Sequence, residues 1–174
     1  MKSTEVYSLL RSKLAPWFKA GGFGRAKGFL SWSPPHGDRH IVVWFQISRD
    51  GWDAFAGSKF VVEFQRSVEP LVGARADRRQ RLGALLSAEQ REQVRMTNNA
   101  VIGSLKRPTP GYAKLQISPE VTKWYLAQFQ PRLEPHLERD DIWLHYASPE
   151  DVVRWAGLIE TMLPGFIEAI GGEG

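Results

Sequence analysis

His40-Ile41-Val42-Val43-Trp44-Phe45-Gln46-Ile47-Ser48 is followed, across a loop that opens with Asp50-Gly51 and closes with Gly57-Ser58, by Lys59-Phe60-Val61-Val62-Glu63-Phe64-Gln65-Arg66. β-Branched and aromatic residues dominate both runs, which suits pleated strands. Side chains alternate across a strand, so the order of residues assigns two faces. Ile41, Val43, Phe45 and Ile47 fall on one face of the first run, with Phe60, Val62 and Phe64 as their counterparts in the second. That face is wholly apolar and is predicted to carry helices, with Phe45 and Phe64 turned toward the first helix through Leu10, Leu14 or Trp17. The other face is mixed: His40, Val42, Trp44 and Gln46 beside Val61, Glu63 and Gln65. Upstream, Lys27-Gly28-Phe29-Leu30-Ser31-Trp32-Ser33 reads as a further strand, and Pro34-Pro35-His36-Gly37-Asp38 as the turn after it. Connections this short predict an antiparallel meander.

Helical periods flank the meander. Val6, Leu9, Leu10, Leu14, Trp17 and Phe18 share a face over residues 4–20, with Ser3 or Thr4 as cap and Gly21-Gly22 as stop. Residues 77–105 are read as helical, with a capping box at Ser87-Ala88-Glu89-Gln90. A short edge strand is read within 112–117, and a helix starts at Ser118-Pro119-Glu120. Asp141-Ile142-Trp143-Leu144-His145-Tyr146 is a late strand, and Ser148-Pro149-Glu150-Asp151 starts a last helix that runs to Pro164-Gly165. Strands grouped in this way, and not alternating with helices, predict an α+β class. The expectation is a single domain over 1–174, whose mainly antiparallel sheet of about four or five strands is packed by the N-terminal and C-terminal helices.

Composition removes whole classes of function. The chain has 174 residues, 43% hydrophobic and 24% charged, and no cysteine. Disulfides, thiolate metal sites and cysteine nucleophiles are therefore excluded. No apolar run follows Met1-Lys2-Ser3-Thr4-Glu5, and no stretch approaches about 18 uncharged apolar residues, so neither signal peptide nor membrane span is expected and the cytoplasm is the expected compartment. The net charge of +4 is uneven. Residues 138–174 carry eight acids against Arg139 and Arg154, which leaves a basic remainder.

Several short motifs together resemble a known family. They are Gly22-Phe23 at the end of the first helix, Lys27-Gly28-Phe29 with Trp32, Gln46-Ile47-Ser48 at a strand end, Phe60 to Phe64, and Trp143 ahead of Ser148-Pro149-Glu150-Asp151. The pattern resembles an uncharacterised bacterial family classed as a domain of unknown function. Residues 70–115 lie outside the resemblance. It implies a fold and no mechanism, because such a family has no assigned catalytic residues.

Constellations with chemical potential are few. His36 and His40 stand four apart, but on a turn and a strand start, where helical metal geometry fails, so neither a metal site nor a cofactor is expected. Gly21-Gly22-Phe23-Gly24-Arg25 leads out of a helix and not into one, which suits a C-cap and not a phosphate cradle. Asp50 and Asp53 bracket Trp52 in the strand-connecting loop, as turn formers or as the lip of a site. Arg75, Arg78, Arg79 and Arg81 surround Asp77 and could bind anions, yet no aromatic residue lies between Val68 and Arg107 for base stacking. His40, Trp44, Gln46, Glu63 and Trp52 are the candidate ligand-binding set. The reading is a non-enzymatic cytoplasmic binding module for a small molecule or protein. Its alternatives are a nucleic-acid-associated protein using the Arg75–Arg107 stretch, or a small hydrolase-like enzyme using His40, Asp50 and Asp53. The face assignment is checked directly: Phe45→Ala should cost about 3–5 kcal/mol in denaturant unfolding, and a variant as stable as the parent would reverse the two faces.

Overall fold

The computed structural model describes residues 1–27, 30–33, 35–36, 38–49, 51–52, 56–105, 120 and 141–172. The edge strand expected within 112–117, all but Glu120 of the helix begun at Ser118, and His136 lie outside them. In chain order the elements are α1 (Ser3–Ala20), β1 (Gly24–Arg25), β2 (Leu30–Ser33), β3 (Pro35–His36), β4 (Arg39–Ile47), β5 (Ser58–Ser67), β6 (Ala76–Arg81), α2 (Leu82–Leu85), α3 (Ala88–Ser104), β7 (Leu144–Tyr146) and α4 (Pro149–Gly171).

The described strands form one antiparallel sheet in the order β1-β2-β4-β5-β6, with β3 on β4 and β7 on β5. The class is α+β, as the grouping of strands predicts. Seven strands, where four or five were expected, reflect the two-residue β1 and β3 and the presence of β6. β4 and β5 pair without interruption from His40↔Ser67 to Ile47↔Phe60. Their apolar face holds Ile41, Val43, Phe45, Ile47, Phe60, Val62 and Phe64 in one buried cluster with Leu10, Leu14 and Phe18 of α1 and Trp155, Ile159 and Phe166 of α4. Phe45 lies against Trp32, whose indole stacks on Phe18 of α1 at 4.3 Å. Phe64 is buried in the same cluster as Leu10 and Leu14. It meets Phe166 of α4 edge-on at 5.6 Å, because the last helix also packs on this face.

The helix ends differ from expectation in two places, at the start of α1 and the end of α4. The α1 N-cap is Lys2 and not Ser3 or Thr4, and the Lys2 backbone N–H donates to Glu5 Oε2 at 2.5 Å. Pro16 sits inside α1 without ending it. α4 continues past Pro164-Gly165 to Gly171, because Phe166 and Ile170 bury their side chains in the core and hold the last turns in place. The starts of α3 and α4 follow the sequence signals. Ser87 Oγ accepts from Gln90 N–H at 3.2 Å, while Gln90 Oε1 accepts from Ser87 N–H at 2.9 Å. Asp151 Oδ2 likewise accepts from the Ala147 and Ser148 N–H groups, both at 3.0 Å.

Residues 77–81, read from sequence as the start of a helical region, belong instead to β6. This run has no apolar stripe to bury as a helix, and the open edge of β5 offers it a ladder of backbone partners. A bulge between Arg66 and Ser67 leaves Asp77 as the extra residue of β6. β7 shares the same edge of β5 and is locked to α3 by one side chain. Buried Asn98 donates to the Trp143 carbonyl at 3.0 Å and accepts from the His145 N–H at 2.9 Å, in the manner of a neighbouring strand. Replacing Asn98 with Ala removes both bonds from a buried position and should lower stability by about 1–3 kcal/mol in urea unfolding; an unchanged midpoint would mean that β7 is held without α3.

Candidate functional site

Directly opposed residues of antiparallel strands share a face, so the register assembles the site. Trp44 faces Glu63, and Glu63 faces Arg81. Gln65 faces Arg79 one step along, which brings Arg79 diagonally to Glu63 and Trp44. Glu63 is only 3% exposed. A carboxylate so removed from water needs compensating charge and hydrogen bonds. Arg79 Nε donates to Glu63 Oε1, and Arg81 Nε lies 3.6 Å from Oε2. Arg81 also donates through Nη1 to Asp141 Oδ1. The Arg79 guanidinium lies over the Trp44 indole, 5.0 Å from the ring centroid. Trp143 carries two cations, Lys59 at 5.4 Å and Arg81 at 5.8 Å. Contacts of this kind strengthen as the ring and cation lose water.

Trp44 is therefore not the open aromatic floor that the mixed face suggests. It is 7% exposed and covered by Arg79. Its indole Nε1 is buried and has no hydrogen-bond partner among the described residues. Gln46 follows Trp44 on the same face, opposite Val61, and is half-buried. His40 stands at the far end of β4 opposite Ser67, with its Nδ1 buried and unpartnered. That end is closed by residues 68–74. Gln65 Nε2 donates to the Leu71 carbonyl at 2.7 Å, Gly73 N–H donates to Gln65 Oε1 at 3.1 Å, and Ser67 Oγ donates to the Glu69 carbonyl at 2.8 Å. Trp52 serves the other end of the sheet, where its indole N–H donates to the Ala147 carbonyl at 3.2 Å. The structure thus unites Trp44 and Glu63 with Arg79 and Arg81, flanks them with Gln46, and sets His40 and Trp52 apart. Asp50 and Asp53 lie outside the described residues.

The arginine run does not form a solvated helical face, as the sequence suggests, but an edge strand with internal partners. Arg78 Nη1 donates to the Ala169 carbonyl at 2.6 Å, and Arg66 Nη1 reaches the Gly171 and Gly172 carbonyls at 3.3 and 3.2 Å. These bonds bring cations to the carbonyls at the C-terminus of α4, whose own last turn carries no basic residue. Asp77 accepts from Arg39 Nε at 2.7 Å, a bond that, with the neighbouring charge of Asp38, holds the Arg39 guanidinium above its ordinary pKa. Of the four candidate anion-binding residues, exposed Arg75 alone makes neither an ion pair nor a side-chain hydrogen bond among the described residues. Lys106 and Arg107 lie outside them.

Sequence reading missed Trp143, Lys59 and Asp141 as members of the cluster. The one signal available was parity: read as a strand, Ala76–Arg81 sends Arg79 and Arg81 to the same face as Glu63. Among the described residues no group of three or more histidine, aspartate or glutamate side chains could hold a metal ion, and no helix is long and apolar enough to cross a membrane. No family model, curated protein or solved structure matches the chain.

The ionic core of the site has a measurable signature. Replacing Arg79 and Arg81 together with Ala leaves Glu63 buried without a cation and should cost about 1–3 kcal/mol, below the cost of breaking a fully buried pair because Arg79 is 55% exposed. Adding Glu63→Gln to that variant should recover most of the loss. If the triple variant stays as unstable as the double one, the arginines act through packing and not through the carboxylate.

Proposed function

We propose that this chain is a non-enzymatic binding module of the cytoplasm whose recognition surface is the cluster of Trp44, Glu63, Arg79 and Arg81 on the polar face of the sheet. The observation that carries the reading is the buried indole N–H of Trp44, which lacks a partner among the described residues beside a carboxylate, Glu63, that both arginines already pair. A buried donor without an acceptor costs on the order of 1–3 kcal/mol, and a site that keeps one is suited to an incoming acceptor. The rigid strands beneath the cluster support recognition with little reorganisation. Membership of the bacterial family that the sequence resembles belongs to the same proposal.

A nucleic-acid partner is the second reading, and one observation favours it. The aromatics absent from the arginine run in sequence are supplied in space by Trp44 and Trp143. Two titrations decide between the readings. A fragment screen by ligand-observed NMR should give hits that Arg79→Gln abolishes. Single- and double-stranded nucleic acid, titrated at two salt concentrations, should bind weakly, and Arg75→Ala should leave that binding unchanged. Tight binding whose salt slope falls by roughly 0.7–0.9 on Arg75→Ala would make nucleic acid the leading partner.

A further inference from the structure

The hydrogen-bonding inventory of the cluster is one-sided. Arg79 uses only its Nε toward Glu63, and its two terminal nitrogens form no hydrogen bond among the described residues. Trp44 adds a buried, unpartnered N–H. Both Glu63 oxygens already face arginine, Oε1 toward Arg79 and Oε2 toward Arg81, and Asp141 is held by Arg81. The unclaimed groups of Arg79 and Trp44 are therefore donors, and the Glu63 oxygens beside them are engaged. They are also close together, because the indole nitrogen belongs to the ring whose centroid lies 5.0 Å from Arg79 Cζ. Arg79 is a partly exposed group above a buried one, its side chain 55% exposed over a tryptophan that is 7% exposed. A ligand group approaching from solvent meets the guanidinium first and the indole edge beneath it.

We propose that the cluster binds the carboxylate group of a small ligand, one oxygen accepting from Trp44 Nε1 and the other from the terminal nitrogens of Arg79. A planar group with two acceptor oxygens can meet the indole N–H and the guanidinium at once, which a single-oxygen acceptor cannot do, and the guanidinium adds a charge-assisted bond. The Glu63 pair supports this by holding Arg79 through Nε, which leaves the terminal nitrogens of a partly exposed side chain for a ligand. The inference rests on the binding-module reading and narrows its ligand to one chemical class.

The test is a titration of the ¹⁵N-labelled protein with sodium acetate, at ionic strength kept constant with sodium chloride. Acetamide serves as the neutral probe of the same shape, and inorganic phosphate as a second anion. Acetate should shift the Trp44 indole resonance and the backbone amides of Trp44, Glu63 and Arg79 in a saturable way, with acetamide and phosphate much weaker. Trp44→Phe keeps a ring beneath Arg79 but removes the N–H, and should weaken the response of the remaining amides roughly tenfold, the loss of a charge-assisted hydrogen bond. Arg79→Gln should do the same. If acetamide or phosphate shifts these groups and acetate does not, the carboxylate assignment falls while the site stands. If none of the three shifts them, or if acetate acts equally on Trp44→Phe, the unpaired N–H is met by water alone, and both the assignment and the site fall.

Discussion

The pairing of β4 with β5 couples two demands that cannot be met separately. From His40↔Ser67 to Ile47↔Phe60 each opposed pair shares a face, so one register decides what enters the helix-packed core and what enters the polar cluster. A slip of one residue would carry Glu63 into the layer of Phe18, Trp155 and Phe166, and would leave Val62 opposite Trp44. The apolar side resists that slip through burial of Ile41, Val43, Phe45, Phe60, Val62 and Phe64. The polar side resists it through Glu63, which finds both arginines only in the observed alignment. Hydrophobic burial therefore fixes the site, and the ionic pairs in turn penalise the competing registers of the core.

β6 extends this logic to the edge of the sheet. An uncovered edge strand exposes unpaired backbone groups, and a row of charged side chains keeps such an edge from pairing with another chain. Here the same charges have further partners. Arg79 and Arg81 neutralise Glu63 on one face, while Arg78, with Arg66 of β5, binds the last carbonyls of α4 on the other. The two arginine sets alternate along the strand because its side chains alternate. A helix in this place would present its side chains with a different period and could not serve both layers.

What could be read from the sequence followed from local signals. The strong strands at 40–48 and 59–66 declared themselves by composition, and alternation gave their faces. The capping boxes at Ser87 and Ser148 located two helix starts to the residue. What escaped reading depended on distant partners. Ala76–Arg81 carries no apolar alternation, so only the edge of β5 reveals it as a strand. Pro164 signals a helix stop, which burial of Phe166 and Ile170 overrides. Asn98 looks like an ordinary polar position on a helix, and only the edge of β7 gives it a role. The candidate site was legible by half. Trp44 and Glu63 follow from register, but Arg79, Arg81, Asp141 and Trp143 come from segments that begin 16 residues beyond Glu63 and reach far along the chain, beyond any local pattern.

The spatial arrangement also bears on why aromatic and basic groups side by side need not make a nucleic-acid platform. A base stacks on a ring face that solvent can reach. In this cluster the Trp44 ring is nearly buried with Arg79 over it, and Trp143 already carries Lys59 and Arg81. A base would have to displace a guanidinium from its ring, and that guanidinium is tied to a carboxylate that cannot follow it into solvent. Phosphate contact through Arg78 Nη1 or Arg81 Nη1 faces a like obstacle, since each would give up an internal acceptor to reach it. A small carboxylate asks for neither displacement. It uses the terminal nitrogens of Arg79 and the indole N–H of Trp44, the donors that the fold leaves without partners, and so adds interactions to the cluster without breaking those that hold β5 and β6 together.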